Sequence, residues 1–320
     1  MESTRLTYHL RTGLWLVFLL LASASSASAQ LILMSPLGDI YDWQYRVAVD
    51  SEYQTQAEID GGGAMGALRF KAAGHVRGPL SHSTRLYLDV AYAHTDYQFS
   101  QDGASACVEP SACFANAPWQ DVHTLDVAPG GSLNLSDALQ LQAFVPIRWH
   151  AESNSDRSGV TAGFLGLVHI RFSDTFKAGL GVGVQSEIEQ DASVFPIITL
   201  DWQINERFQL MTRGAPYQGG ELALLVGSDP AFRGSFSVGY ERRRFRLAAS
   251  SPDSNGVGEM TSVPILVGAD FRLGTESSLS LQGGIAVRGR LELDNAHGSD
   301  LRREAFDTAG LIRGMLRIAF

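Results

Sequence analysis

The chain has 320 residues, of which 45% are hydrophobic, 18% charged and 33 in number glycine. This composition excludes a disordered chain, and a mean hydropathy of −0.01 excludes a bundle of membrane helices. A formal charge of −9 argues against nucleic acid as a general partner, and two cysteines are too few for a disulfide scaffold.

Arg5 and Arg11 lead into an apolar stretch from Leu14 to Ala22, too short to span a bilayer. Small residues follow, with Ala27 and Ala29 placed as an A-x-A site before Gln30. This three-part layout predicts a cleaved export signal over residues 1–29, leaving 291 residues. The cleavage point carries no cysteine for a lipid anchor. Residues 30–39 form a short lead-in, and the rest of the chain, 40–320, reads as one domain.

From residue 40 the sequence alternates. Tyr41, Trp43, Tyr45, Val47 and Val49 share one face of the first strand, with Asp42, Gln44, Arg46 and Asp50 on the other. Leu86, Leu88, Val90 and Tyr92 repeat the pattern, as do Leu139 to Ile147 and Phe176 to Val184. The series continues through Val263–Leu273 and Leu279–Val287. Strands are predicted near 40–53, 62–75, 84–98, 120–134, 139–151, 160–172, 176–188, 194–204, 207–214, 219–227, 232–248, 260–273, 278–292 and 305–320. That makes fourteen, or twelve if the short 207–214 and 219–227 are misread. Many runs reach ten residues or more, which suits tilted membrane strands better than a sandwich. In 232–248 the apolar face switches from Phe236, Val238 and Tyr240 to Phe245 and Leu247, which predicts a bulge near 241–244 or an extra turn.

Connections alternate in length. Asn134–Ala138, Ser173–Thr175, Asn205–Arg207 and Gly274–Ser278 are short and rich in turn-forming residues. The segments 100–120, 152–158, 250–258 and 294–303 are longer and polar. Short turns on one side and long loops on the other fit a transmembrane up-and-down antiparallel β-barrel. Cys107 and Cys113 lie in the longest loop, where export favours a small disulfide over a metal site. Trp43, Trp149, Trp202, Tyr41, Tyr45, Tyr92 and Tyr240 are candidates for aromatic girdles.

At the end of the chain Ile312, Leu316, Ile318 and Phe320 share a face opposite Arg313 and Arg317. An alternating last strand closed by Phe resembles the terminal signal of Gram-negative outer-membrane β-barrel proteins. The resemblance implies that Leu316, Ile318 and Phe320 are read by the barrel-assembly machinery, and that outer-membrane lipid and lipopolysaccharide surround the barrel. Residues 195–247 are also similar to uncharacterised bacterial outer-membrane barrel domains, through Pro196, Trp202, the Asn205-Glu206 turn and Tyr240.

With the apolar face toward lipid, Arg272, Arg288, Arg290, Arg313 and Arg317 turn inward, as do Asp270 on a neighbouring run and Asp42, Arg46 and Asp50 on the first strand. Pairing of first and last strands would set acid beside base. Two outcomes follow: a pore with a transverse field, or an interior filled by mutual salt bridges. Arg242, Arg243, Arg244 and Arg246 read as a solvated strand end, or as a contact for lipopolysaccharide phosphates. His150-Ala151-Glu152-Ser153 lacks the His and Ser on one face that outer-membrane lipid hydrolases use. His82, His94, His123, His169 and His297 are scattered, and no phosphate loop, dinucleotide fingerprint or zinc motif occurs. The expectation is therefore no enzyme and no cofactor: a porin-like passive channel for small hydrophilic solutes. A structural or adhesion barrel and a transporter of hydrophobic compounds are the alternatives. The lead-in before the first strand is too short for a large N-terminal plug.

Overall fold

A strand with one apolar face and two open edges is stable in hydrocarbon only when every edge is paired. The computed structural model describes residues 42–100, 114, 117–214, 219–229, 231–274 and 277–320, and its strands close on one another. The segments are β1 (Gln44–Glu58), β2 (Ala64–Pro79), β3 (Thr84–Ser100), β4 (Asp121–Asn134), β5 (Leu139–Phe144), β6 (Ile147–Glu152), β7 (Val160–Ser173) and β8 (Phe176–Glu187). They continue as β9 (Gln190–Gln203), β10 (Phe208–Arg213), β11 (Gly219–Val226), β12 (Phe232–Arg246), β13 (Val257–Arg272), β14 (Ser278–Asp294), β15 (Asp300–Phe306) and β16 (Ala309–Ala319).

β5 and β6 are one stave in two pieces, since both lie between β4 and β7. The break falls at Val145-Pro146, where proline has no N–H to give. Val145 N donates to Pro129 O at 2.9 Å and Gly163 N to Pro146 O at 2.9 Å, so the wall stays continuous. β15 and β16 likewise share β14. The result is a closed antiparallel barrel of fourteen staves, sealed by β1 against β16 from Arg46↔Ala319 to Gln54↔Leu311.

Turn chemistry follows the sequence. Asn205 Oδ1 accepts from the N–H groups of Arg207 and Phe208 at 2.9 and 3.0 Å. Ser81 and Ser136 hydroxyls accept in the same way at the β2–β3 and β4–β5 turns. Alternation then turns Tyr45, Val47, Val49 and Tyr53 outward, while Ala48, Glu52 and Gln54 are buried inside. Leu86, Leu88, Phe164, Leu180, Val182, Val267 and Ile312 continue an exposed apolar belt around the barrel. In water each such side chain would forgo about 1.5–3 kcal/mol of burial, so the belt calls for a hydrocarbon surround.

Several boundaries differ from the sequence expectation. β1 runs on to Glu58, β9 begins at Gln190 and β13 at Val257. The bulge lies elsewhere than expected. β12 keeps one register against β13 through 241–244. The irregularity is in the β13–β14 ladder, where Arg288 adopts φ 54°. Beyond it the faces of β14 exchange, so Leu291 and Leu293 turn inward and Arg290 turns out.

The face switch in β12 has another cause. The loop-side end of the β12–β13 hairpin leaves the wall and crosses the barrel mouth. Arg246 of β12 pairs in parallel with Ala151 of β6, a strand on the far wall. Ala248 N donates to Glu152 Oε2 at 2.9 Å and Ala249 N to Asn154 O at 3.1 Å. One face of the hairpin, with Phe245, Leu247 and Met260, packs on Tyr97, Trp119 and Val122 of the β3–β4 side. Trp119 is the hub, with Phe99, Phe114 and Phe245 rings edge-on at 5.4–5.6 Å. The barrel thus has an apolar core inside its loop end, built partly from its own wall.

Gly289 tests the bulge. A Cβ there would sit 2.2 Å from the buried Phe306 ring. Gly289→Ala is expected to cost about 1–3 kcal/mol by overpacking, read as a lower urea midpoint of the refolded barrel. An unchanged midpoint would contradict the inward turn of β14 at this point.

Candidate functional site

Below the crossing hairpin the lumen holds a cavity of about 400 Å³. It runs from Gln44, Arg46, Ser278 and Arg317 near the short turns up to Glu52, Arg243 and Arg313 beneath the hairpin. Its wall mixes these charges with Ala73, Ala91, Tyr87, Phe144 and Leu165.

The roof is a strap of ion pairs. Arg313 on β16 donates to Glu52 Oε2 at 2.5 Å, to Glu241 Oε1 at 2.6 Å and to Glu221 Oε2 at 3.4 Å. Arg243 donates to Glu52 Oε1 at 2.5 Å and to Glu241 Oε2 at 2.9 Å. Arg213 extends the chain to Asp270 at 3.1 Å. The strap joins β1 and β16 to β10, β11 and β12, which are not neighbours in the sheet. A guanidinium shared by several carboxylates satisfies most of its donors where little water reaches, although Arg243 Nη1 is buried without a partner among the described residues.

The other face of β12 is bound to the β8–β9 turn, to its hairpin partner β13 and to the end of β14. Arg242 meets Glu187 at 2.9 Å and Glu259 at 2.8 Å. Arg244 meets Glu259 at 2.9 Å and Asp294 at 2.7 Å, and donates to Ile188 O at 3.0 Å. Arg246 meets Glu189 at 2.5 Å. These arginines are buried or half-buried, so the sequence expectation of a solvated strand end or a lipopolysaccharide contact is corrected.

The wall has a window beside the hairpin. β10 pairs with β9 only at residues 201–203. β11 pairs with β12 only from Gly219↔Glu241 to Val226↔Gly234. Among the described residues, 190–200 of β9 therefore have a strand partner only on the β8 side. Residues 242–246 of β12 have β13 on one edge and, on the other, the single bridge to β6. Pro196 suits such an unpaired edge because it has no N–H to satisfy. Thr212 Oγ1 accepts from Leu200 N at 3.1 Å where the ladder stops. The cavity reaches Gly214, Gly219, Gly220 and Tyr240 at the foot of the window.

Of the residues expected inside, Arg46, Asp50, Asp270, Arg313 and Arg317 line the cavity. Asp42 is exposed ahead of β1, and Arg272 is exposed at the turn end of β13. Arg288 and Arg290 are exposed at and beyond the bulge, where Arg290 lies 3.7 Å from Glu292, so neither joins the cavity. Glu52, Arg69, Lys71, Arg148, Arg213, Glu221 and Glu241 line the lumen without a sequence expectation, and Arg242 and Arg243 line it although the sequence reads them as a strand end. Strict alternation from Asp50 would have found Glu52. Cys107 and Cys113 fall outside the described residues. Leu316, Ile318 and Phe320 are exposed on the outer face of the last strand and the residue after it. Glu152 is structural, since its carboxylate accepts from Gln120 N, Ala248 N and Ser251 Oγ at 2.7–3.0 Å. His94 and His123, read as scattered, face each other across β3 and β4 with rings stacked at 4.9 Å.

No protein-family model and no curated protein matches the sequence. Among solved structures, an outer-membrane channel from Pseudomonas putida F1 is 12% identical and covers 89% of this chain and 100% of its own, with a TM-score of 0.44. A deletion mutant of the monoaromatic hydrocarbon channel TodX is 10% identical over 92% of this chain and 96% of its own, at TM-score 0.47. A Pseudomonas aeruginosa FadL homologue is 10% identical over 87% and 90%, at TM-score 0.45. These structural neighbours are outer-membrane β-barrels, and at this similarity none of them assigns a solute.

Glu52 holds two arginines, so Glu52→Gln leaves buried cations under-neutralised. The expected loss is about 3–5 kcal/mol in urea unfolding of the refolded barrel. Asp42→Asn, exposed and outside the strap, is expected to leave the midpoint unchanged. Equal midpoints for the two variants would contradict the strap.

Proposed function

We propose that the chain is an outer-membrane conduit that passes small amphipathic molecules between its lumen and the outer leaflet through the side window. The observation that carries this reading is the pairing gap between β9 and β12, with the cavity at its foot and the crossing hairpin above it. A solute in the vestibule meets an apolar core and ion-paired hairpin if it moves toward the loops. Sideways it meets glycines and an edge without a ladder. A window that opens at the level of an apolar belt suits molecules soluble in both phases better than fully hydrophilic ones.

In this proposal residues 1–29 direct export and are removed, and Phe320 with Ile318 and Leu316 is read by the assembly machinery. Lipid and lipopolysaccharide are the surround, and the short turns with both chain ends face the periplasm. No catalytic step is assigned. The porin-like reading stands second, because it requires the hairpin to leave the mouth. The structural or adhesion reading rests on the loops alone.

Uptake separates these readings. Gram-negative cells making the protein are expected to take up the amphipathic anionic dye 8-anilinonaphthalene-1-sulfonate several-fold faster than control cells. Gly220→Trp, which shares the outward face of β11 with Val226 and sets a ring across the outer side of the window, is expected to remove the gain while the barrel stays heat-modifiable on gels. Unchanged uptake in wild type, or steady porin-scale ion conductance of the purified protein, would overturn the conduit.

A further inference from the structure

We propose that the vestibule selects organic anions, with Arg69 and Arg317 supplying the counter-charge. The inference rests on the conduit reading and names its solute class. Ten Lys or Arg residues line the cavity against six Asp or Glu; two of the ten, Arg148 and Arg242, are paired with acids outside the lining, which leaves eight against six. The chain as a whole carries −9, so the cationic balance is local to the lumen.

Ion pairs account for much of the lining. Arg213, Arg243 and Arg313 are held in the strap, Arg242 by Glu187 and Glu259, and Arg148 by Asp126 at 2.7 Å. Arg69 and Arg317 line the same cavity, and among the described residues neither has a carboxylate within 4.0 Å. A cation half-buried in a barrel lumen, with no bonded carboxylate, keeps the cost of its lost hydration until an anion arrives.

Their positions make two stations. Arg69 pairs across the sheet with Glu52, and Arg317 with Ala48, four residues nearer the chain ends. At the rise of an antiparallel strand that is about 13 Å, so a small anion engages one station at a time. Two moderate sites in series let a solute enter and leave, whereas a single deep one would retain it. The wall they share carries Ala48, Ala73, Ala91, Tyr87, Phe144 and Leu165. A bare inorganic anion gains nothing from that surface. A carboxylate on an apolar or aromatic body gains from both.

The test is calorimetric binding to the full barrel in lipid nanodiscs, with empty nanodiscs subtracted. Benzoate and its neutral analogue benzyl alcohol are the probes. Wild type is expected to bind benzoate on the order of tenfold more tightly than benzyl alcohol, with the preference shrinking as salt is raised. The double variant Arg69→Gln/Arg317→Gln is expected to lose that preference. Arg69→Lys/Arg317→Lys is expected to keep most of it, and heat-modifiable mobility reports folding of both. Equal binding of the two probes, or full benzoate preference in the glutamine variant, would overturn the proposal. Displacement of benzoate by an equal concentration of sulfate would overturn the organic class. Benzoate binding without dye uptake in cells would count against the conduit and leave the anion stations standing. Dye uptake without benzoate preference would do the reverse.

Discussion

A backbone N–H or C=O facing hydrocarbon without a partner costs several kcal/mol, and a barrel meets that demand by having no edge. This chain meets it around most of its circumference with continuous ladders, including the staves broken at Val145-Pro146 and before Ala309. Between β9 and β12 the ladder stops partway. There the upper end of β12 is not left as a free edge but folds across the mouth, where its backbone reaches β6 and its side chains reach the β8–β9 turn. Window, occluded mouth and vestibule are three consequences of that one displacement.

Charge holds the displaced hairpin. A stretch with arginines at 242, 243, 244 and 246 presents cations on both faces of a strand: Arg243 reaches Glu52 on β1, and Arg242 and Arg246 reach Glu187 and Glu189 at the β8–β9 turn. Apolar packing around Trp119 supplies the burial, and the arginine pairs fix where the hairpin lies. The same arrangement takes up most lumen acids in the strap. The vestibule below is left with more cations than carboxylates.

Much of the fold was legible because period-two alternation is a local signal. Each of the fourteen staves sits on a run such as Leu86–Tyr92 or Leu279–Val287, and the turns at Ser136 and Asn205 bond as their residue types imply. Parity also placed Arg46, Asp50, Asp270, Arg313 and Arg317 toward the cavity. It failed where chain direction, not residue type, decides the face. At Arg288 one residue in the left-handed region reverses every side chain beyond it, and Arg290 ends outside. In β12 the register never slips, yet Arg242, Arg244 and Arg246 are enclosed because the whole hairpin leaves the wall. Both effects depend on partners distant in sequence, Phe306 for the bulge and β6 and β8 for the hairpin.

The central claim is that the β12–β13 hairpin crosses the mouth to β6. The most direct measurement is disulfide formation between Ala151→Cys and Arg246→Cys in the refolded full chain, with Cys107 and Cys113 replaced by serine. These positions pair across the two strands. The account predicts rapid cross-linking under mild oxidation, seen as a mobility shift that reductant reverses. A folded barrel whose two thiols stay free would place the hairpin in the wall and contradict the occluded mouth.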